Sequence, residues 1–285
     1  MANNLKTVTL LAFMSALVWW IGIALFGEGQ GFYIGLLFAV GINFIAYFFS
    51  DKMALAAARA TPVSEADLPQ VYSIVDRLAR QAGMPKPRVY LIQSPQPNAF
   101  ATGRNPKKAV VAVTSGILDM LTYDELEGVL AHELAHVENR DILISSIAAM
   151  LAAALSIFAR MAFFGGGRRR SQDPVTAIFG LLSVFLAPLA AMILRSAISR
   201  TREFEADASG AALTGRPLNL ASALAKIGGA TRQIPMNVNP AVSQLFIDDP
   251  LKALSGRQTL NRMFSTHPPV EERIRRLQDQ ASGVR

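Results

Sequence analysis

Residues 122–138 read T-Y-D-E-L-E-G-V-L-A-H-E-L-A-H-V-E, and this stretch decides the fold. Thr122 and Glu125 form a T-x-x-E capping box, the signature of a helix beginning near Tyr123. Leu126, Val129, Leu130 and Leu134 recur at helical spacing and give that helix an apolar stripe. Only three histidines occur in the 285 residues, and two of them, His132 and His136, stand four apart on this helix. Residues four apart lie one above the other on a helix face, so both imidazoles can reach a single metal ion. Glu133 then sits beside the open coordination position, where a carboxylate serves as general base for an attacking water. The pattern H-E-x-x-H on a helix is the mark of a zinc hydrolase, and two surface histidines are the plain alternative.

Composition places this helix in an unusual setting. Half of the residues are hydrophobic (51%) and mean hydropathy is positive, as in an integral membrane protein. Residues 7–26 and 31–50 are two apolar runs without a charge, each about 20 residues, the length that spans a bilayer core. Gly27-Glu28-Gly29-Gln30 joins them in a tight hairpin, and Trp19, Trp20, Tyr33 and Tyr47 are candidate interface anchors. A cleaved signal peptide fits the first run poorly, because the run is long, lacks a small-x-small cleavage site and is followed at once by a second span. Residues 142–159 and 175–194 form a second apolar pair, whose second member carries Pro188. Burial in a soluble helical core is the alternative for this pair.

Four regions follow: a transmembrane hairpin at 1–50, a first protease part at 51–141, a second membrane hairpin at 142–194, and a second protease part at 195–285. The expected fold class is a mainly α membrane protein, with a gluzincin-like zinc protease domain carrying a small sheet. Lys6, Lys52 and Arg59 flank the first hairpin, and basic flanks stay cytoplasmic. The catalytic regions are therefore expected at the cytoplasmic face of a bacterial inner membrane. Arg168, Arg169 and Arg170 between the second pair run against this rule and stand against a full crossing there, unless anionic headgroups hold them.

The net charge of +7 is spread over membrane flanks and solvated helix faces, without an aromatic-interleaved patch. The bilayer is thus the expected partner rather than nucleic acid. The chain has no cysteine, so a metal must be held by His and carboxylate. A catalytic zinc takes three protein ligands, and Val137 to Asp141 offers no H-x-x-G-x-x-H continuation. Residues 199–210 are another helical stretch in which Glu203 and Asp207 share a face. Glu203 would complete a two-His, one-Glu site, and Asp207 would fix a histidine tautomer. Alternatively, both acids pair with Arg200 and Arg202 on a solvated face.

H-E-L-A-H, two apolar helices, and then S-R-x-R-E-F-E-A-D in that order resemble the HtpX membrane metalloproteases, relatives of the CAAX prenyl endopeptidases. The resemblance covers nearly the whole chain. It implies one zinc per chain with Glu203 as third ligand, and hydrolysis of damaged or misfolded membrane proteins or unfolded polypeptides. A CAAX-type prenyl endopeptidase and a non-catalytic zinc-stabilised scaffold are the rival readings.

Two further segments match the family pattern. Asn98, before the strand-like 109–113, is a candidate for binding the substrate backbone beside an edge strand; a turn-shaping Asn is the alternative. His267, before Pro268 and the charged helix from Val270, is a candidate donor to the developing oxyanion, or else a packed histidine. A helix over 66–81, a turn at Met84-Pro85-Lys86-Pro87, a strand over 88–93, and a long loop over 233–256, as connection or lid, complete the expectations.

Overall fold

The computed structural model describes residues 2–149, 200–239, 242–254 and 267–283. It is mainly helical, with one small mixed sheet. Helices α1 (Ala2–Phe26) and α2 (Glu28–Ala57) form the hairpin. Then come β1 (Thr61–Pro62), α3 (Pro69–Gln81), β2 (Arg88–Ile92), β3 (Ala99–Thr102) and β4 (Val110–Thr114). Four helices follow: α4 (Ser115–Met120), α5 (Tyr123–Glu138), α6 (Arg200–Thr214) and α7 (Pro217–Thr231). The last described helix is α8 (Val270–Ala281).

The hairpin packs through small residues. Gly31, Gly35, Ala39, Ala46, Ser50, Ala54 and Leu55 are the buried positions of α2, all small but the last, whereas Phe32, Leu36, Leu37, Phe38, Phe44 and Phe48 face outward. A Cβ on Gly35 would stand 2.7 Å from the Trp19 carbonyl oxygen, so glycine is what allows the two backbones to touch. Asn43 donates to the Ser15 hydroxyl across the seam. Among the described residues α2 is the one helix that by length and composition is apolar enough to cross a bilayer, and it is paired with the 25-residue helix α1. The sequence reading expected two full spans here. Of the second apolar pair, only a helical stretch at 141–149 belongs to the described residues; the rest of 142–159 and all of 175–194 lie outside them.

The sheet order is β1-β2-β4-β3, with β2 and β4 parallel and the other pairs antiparallel. Strand alternation divides its two faces. Val111, Val113, Ala99 and Ala101 join a core with α3, α5, α7 and α8. Val110, Ala112 and Phe100 join a second core with Ala54, Leu55 and Ala58 at the end of the hairpin and with Met236, Val238, Leu245 and Phe246. The apolar hairpin thus runs directly into the wall of the globular part. Strand β3 is an edge strand: Asn98, Phe100 and Thr102 face β4, and Ala99 and Ala101 turn their backbone groups outward.

Helix α3 begins at Pro69, three residues later than periodicity suggests. Asp67 is occupied in a turn, accepting from the Ser64 backbone and hydroxyl at 2.7 and 2.6 Å, and Pro69 suits a first helical position because it has no N–H to satisfy.

Candidate metal centre

Helix α5 starts as its sequence directs, with the reciprocal Thr122–Glu125 capping box formed. Its first turns are tied to the neighbouring helices by charge. Glu127 pairs with Arg77 on α3, and Glu125 pairs with Lys226 on α7 at 2.7 Å. Burial raises the Glu125 carboxyl, but Lys226, the Ser222 hydroxyl and the Thr122 groups outweigh it and hold it at about 2. Further along, the same helix carries His132, Glu133 and His136 into a cleft lined also by Ala101, Asp141, Arg202, Glu203, Gln244 to Ile247 and His267.

Helix α6 passes against α5 at Gly210, where a Cβ would come 2.7 Å from the backbone nitrogen of His132. Glycine there permits the close approach that brings Glu203 and Asp207 to the histidines. The ligand atoms of His132, His136 and Glu203 all lie within 4.8 Å of one another. Nε2 of His136 is 3.5 Å from Glu203 Oε1, and Nε2 of His132 is 3.9 Å from Glu203 Oε2. Tetrahedral zinc with bonds near 2.1 Å separates its ligand atoms by about 3.4 Å, so this donor set fits zinc with little adjustment.

Each histidine has its other ring nitrogen engaged. Asp207 Oδ1 lies 2.9 Å from His132 Nδ1, and Asp141 Oδ2 lies 3.2 Å from His136 Nδ1. Both contacts turn Nε2 toward the centre. Asp141 arrives there because Arg140 adopts a left-handed conformation (φ 59°) after α5, which folds the chain back on its own last turn. Such a backbone costs a non-glycine residue about 1 kcal/mol. Asp207 is itself clamped by the buried Arg273, which donates to both carboxylate oxygens at 2.8 and 2.7 Å and to the Ile247 carbonyl at 3.0 Å. Burial raises the Asp207 carboxyl, but Arg273 and His132 bring it down to about 2.

Glu133 is 2% exposed, and burial pushes its carboxyl upward against the pull of the two histidines. Its Oε2 accepts from the outward N–H of Ala101 on β3 at 2.7 Å. Burial opposes charge on His136 too, but Asp141, Glu203 and Glu133 raise it to about 9. Glu203 is held well below the ordinary carboxylate range: burial opposes this, and His267, His136 and Arg273 overcome it.

His267 stands between two acceptors, with Nδ1 3.1 Å from Glu203 Oε2 and Nε2 3.1 Å from the Gln244 carbonyl. An imidazolium satisfies both. Burial works against that charge, but Glu203 raises the group. In this arrangement its donors go to a carboxylate and a strap of main chain rather than into open space. That strap, residues 244–247 in the expected long loop, roofs the cleft. Ile247 N–H donates to the Ala99 carbonyl at 2.9 Å, and Phe246 packs edge-on against Phe100, with centroids 4.9 Å apart.

Asn98 immediately precedes the edge strand β3. Its side chain is fully buried, donates to the Asp248 carbonyl at 2.8 Å, and accepts from the Ala99 and Asp248 backbones at 3.2 and 3.4 Å. In this structure it fastens the strap to the sheet edge. The solvated-face alternative for the acids on α6 gives way: Glu203 and Asp207 are buried and Glu205 is exposed. Asp207 pairs with Arg273 on α8, and Arg202 faces Asp141 at 3.7 Å. Sequence reasoning did not find Asp141 or Arg273 as parts of this centre, and it gave the 233–256 loop as connection or lid without singling out 244–247.

An H-E-x-x-H helix, a carboxylate from a distant helix and a buried glutamate beside the ligand set define a metalloprotease. The family model of Peptidase family M48 matches residues 65–281, and the chain belongs to that family. It is 53% identical to a protein named Protease HtpX homolog from Syntrophobacter fumaroxidans, covering 97% of this chain and 99% of that one. Proteins of the same name from Thermodesulfovibrio yellowstonii and Ralstonia nicotianae are each 50% identical, the alignments covering 98% and 99% of this chain. The HtpX resemblance read from the motifs therefore extends over the length of the molecule. The crystal structure of S. mikatae Ste24p is similar in fold, with a TM-score of 0.50 at 21% identity. The likeness covers 97% of this chain, which spans 65% of the Ste24p chain.

Proposed function

We propose that this protein is a membrane-anchored zinc endopeptidase that hydrolyses unfolded polypeptides and damaged membrane proteins at the cytoplasmic face. The observation that carries this reading is the convergence of His132, His136 and Glu203 within 4.8 Å, with Glu133 buried beside them. His132, His136 and Glu203 would hold a zinc ion, which would supply Lewis acidity toward a peptide carbonyl and a water. Glu133, its affinity for protons raised by burial, takes the proton of the attacking water and returns it to the leaving amine. Asp207 and Asp141 keep His132 and His136 in the tautomer that leaves Nε2 available. His267, once the strap withdraws, donates an N–H to the developing oxyanion. Entry of an extended chain along β3 requires Ile247 to release the Ala99 carbonyl and Glu133 to release the Ala101 N–H.

The anchor is the 1–50 hairpin, and 51–141 and 195–285 are the two halves of the protease body on either side of a second membrane hairpin at 142–194. Lys6, Lys52 and Arg59 support a cytoplasmic position for the amino terminus and the body. The apolar outer face of α2 and the fusion of its end with the sheet core support a cleft near the bilayer surface. Metal content and casein cleavage, measured side by side on detergent-purified wild type, Glu133→Gln and Glu203→Ala, test the reading. Stoichiometric zinc with cleavage by wild type alone is expected. Zinc retention and undiminished cleavage by Glu203→Ala would place the third ligand elsewhere.

A further inference from the structure

Two buried arginines close to the metal centre are in opposite states. Arg273 is fully used, with Nε and Nη2 on Asp207 and Nη1 on the Ile247 carbonyl. Arg202, immediately before Glu203 on α6, is almost as enclosed, its side chain 9% exposed, and it lines the cleft with His136, Asp141 and Glu203. Its Nη1 faces Asp141 Oδ1 at 3.7 Å. Its Nε and Nη2 are buried and have no hydrogen-bond partner among the described residues. Buried charged donors left unpaired are expensive, and Arg202 lines the same cleft as His132, His136 and Glu203.

The two open nitrogens define the ligand. Nε–H and Nη2–H are the parallel pair of a guanidinium, the edge that meets both oxygens of a carboxylate at once. Asp141 does not fill that edge: it sits at Nη1 and also engages His136 Nδ1.

Building on the endopeptidase reading, we infer that Arg202 is a specificity-determining residue whose open edge binds a carboxylate of the peptide in the cleft. That carboxylate belongs either to an acidic side chain next to the scissile bond or to the free carboxyl terminus of a short peptide or cleavage product. Both sources present the same planar pair of oxygens. The selectivity is for a negative charge close to the cut, superimposed on sequence-tolerant binding along β3.

The test uses the full-length, zinc-loaded protein in detergent. One peptide set carries Asp or Glu, or the isosteric Asn or Gln, at each position flanking the scissile bond. A second compares a free carboxyl terminus with its amide. Affinity is measured in the Glu133→Gln background and kcat/KM in the active enzyme. The expected result is one position, or the terminus, at which acid is preferred over amide by about tenfold to a hundredfold, the usual strength of a charge-assisted pair. The position reveals which source of carboxylate is used. Arg202→Gln brings that ratio close to one, and Arg202→Lys, which keeps the charge opposite Asp141 without the fork, restores part of it at unchanged zinc content. Equal binding of acid and amide peptides to the wild type, or a preference that survives Arg202→Gln, overturns the assignment. Cleavage with no acid preference removes the Arg202 site and leaves the protease standing. Acid-selective binding without any cleavage by the active enzyme does the reverse.

Discussion

Helices α2 and α5 are built inside out relative to each other. Helix α5, with three acids in its first five residues and two histidines, has twelve of its sixteen residues buried. Helix α2 is almost wholly apolar and buries only seven of thirty, all of them small except Leu55, while its aromatic side chains face outward. In α5 burial is stabilising because nearly every buried charge has a partner: Glu125 with Lys226, Glu127 with Arg77, Glu133 with the Ala101 N–H, the histidines with aspartates. In α2 exposure costs little, because hydrocarbon is the solvent for that face and close backbone packing holds the pair together. Polarity alone therefore does not say which helix is inside; what surrounds it and what it pairs with decide.

The largest effect should come from the buried acid that serves chemistry. Glu133→Gln is expected to lower peptide cleavage by about 10²- to 10⁴-fold while zinc content and melting temperature stay near wild type; a parallel fall in stability would make Glu133 a structural member of the α5 network instead. Next is removal of a partner. Arg273→Ala leaves Asp207 buried and unpaired, and denaturant unfolding should record a loss of about 3–5 kcal/mol, together with about 10- to 100-fold weaker zinc binding. A loss below 1 kcal/mol would mean that α5 and α6 do not depend on this clamp.

The hairpin should respond in the opposite sense. Leu37, 72% exposed on α2, should tolerate Ala, whereas Leu37→Lys should cost about 3 kcal/mol of membrane insertion, read as the glycosylated or extracted fraction in an insertion assay. Gly35→Val, whose Cβ meets the Trp19 carbonyl, should weaken the seam by about 1–3 kcal/mol. Since the chain lacks cysteine, loss of cross-linking between cysteines introduced at Ser15 and Asn43 reports this directly.

The smallest effect concerns Glu125. Its folded pKa of about 2 lies below the ordinary 4.5, so its contribution is fully present above about 4.5 and drains away as pH falls toward 2. With Lys226 40% exposed and screened accordingly, Glu125→Gln should cost about 1–2 kcal/mol at pH 7. The gap between variant and wild-type stability should close between pH 4.5 and 2. A gap that persists at pH 2 would assign the effect to packing.

Local pattern made part of this architecture legible. The capping box and leucine stripe announced α5, and the valine run at 109–113 corresponds to β4. Spacing alone put Glu203 and Asp207 on one face. What was illegible has a common cause. Arg273 reaches Asp207 across 66 positions and His267 reaches Gln244 across 23, and an arginine in R-I-R-R or a glutamine in a polar loop carries no local mark of its partner. Asp141 is near in sequence, but its return to His136 depends on a left-handed Arg140, a conformation that arginine does not advertise. Asn98 shows the same limit: an asparagine beside an edge strand reads equally as a substrate contact or as a fastener until the chain 150 positions away is seen to lie on it.

The two outward backbone groups of β3 have a further consequence. An uncovered edge strand is a template on which a second copy of the same chain can build, and proteins confined to a membrane meet one another often. Here the Ala99 carbonyl is taken by Ile247 and the Ala101 N–H by Glu133, so the edge is closed by the chain's own residues. The arrangement that roofs the metal site thereby also guards against edge-to-edge aggregation.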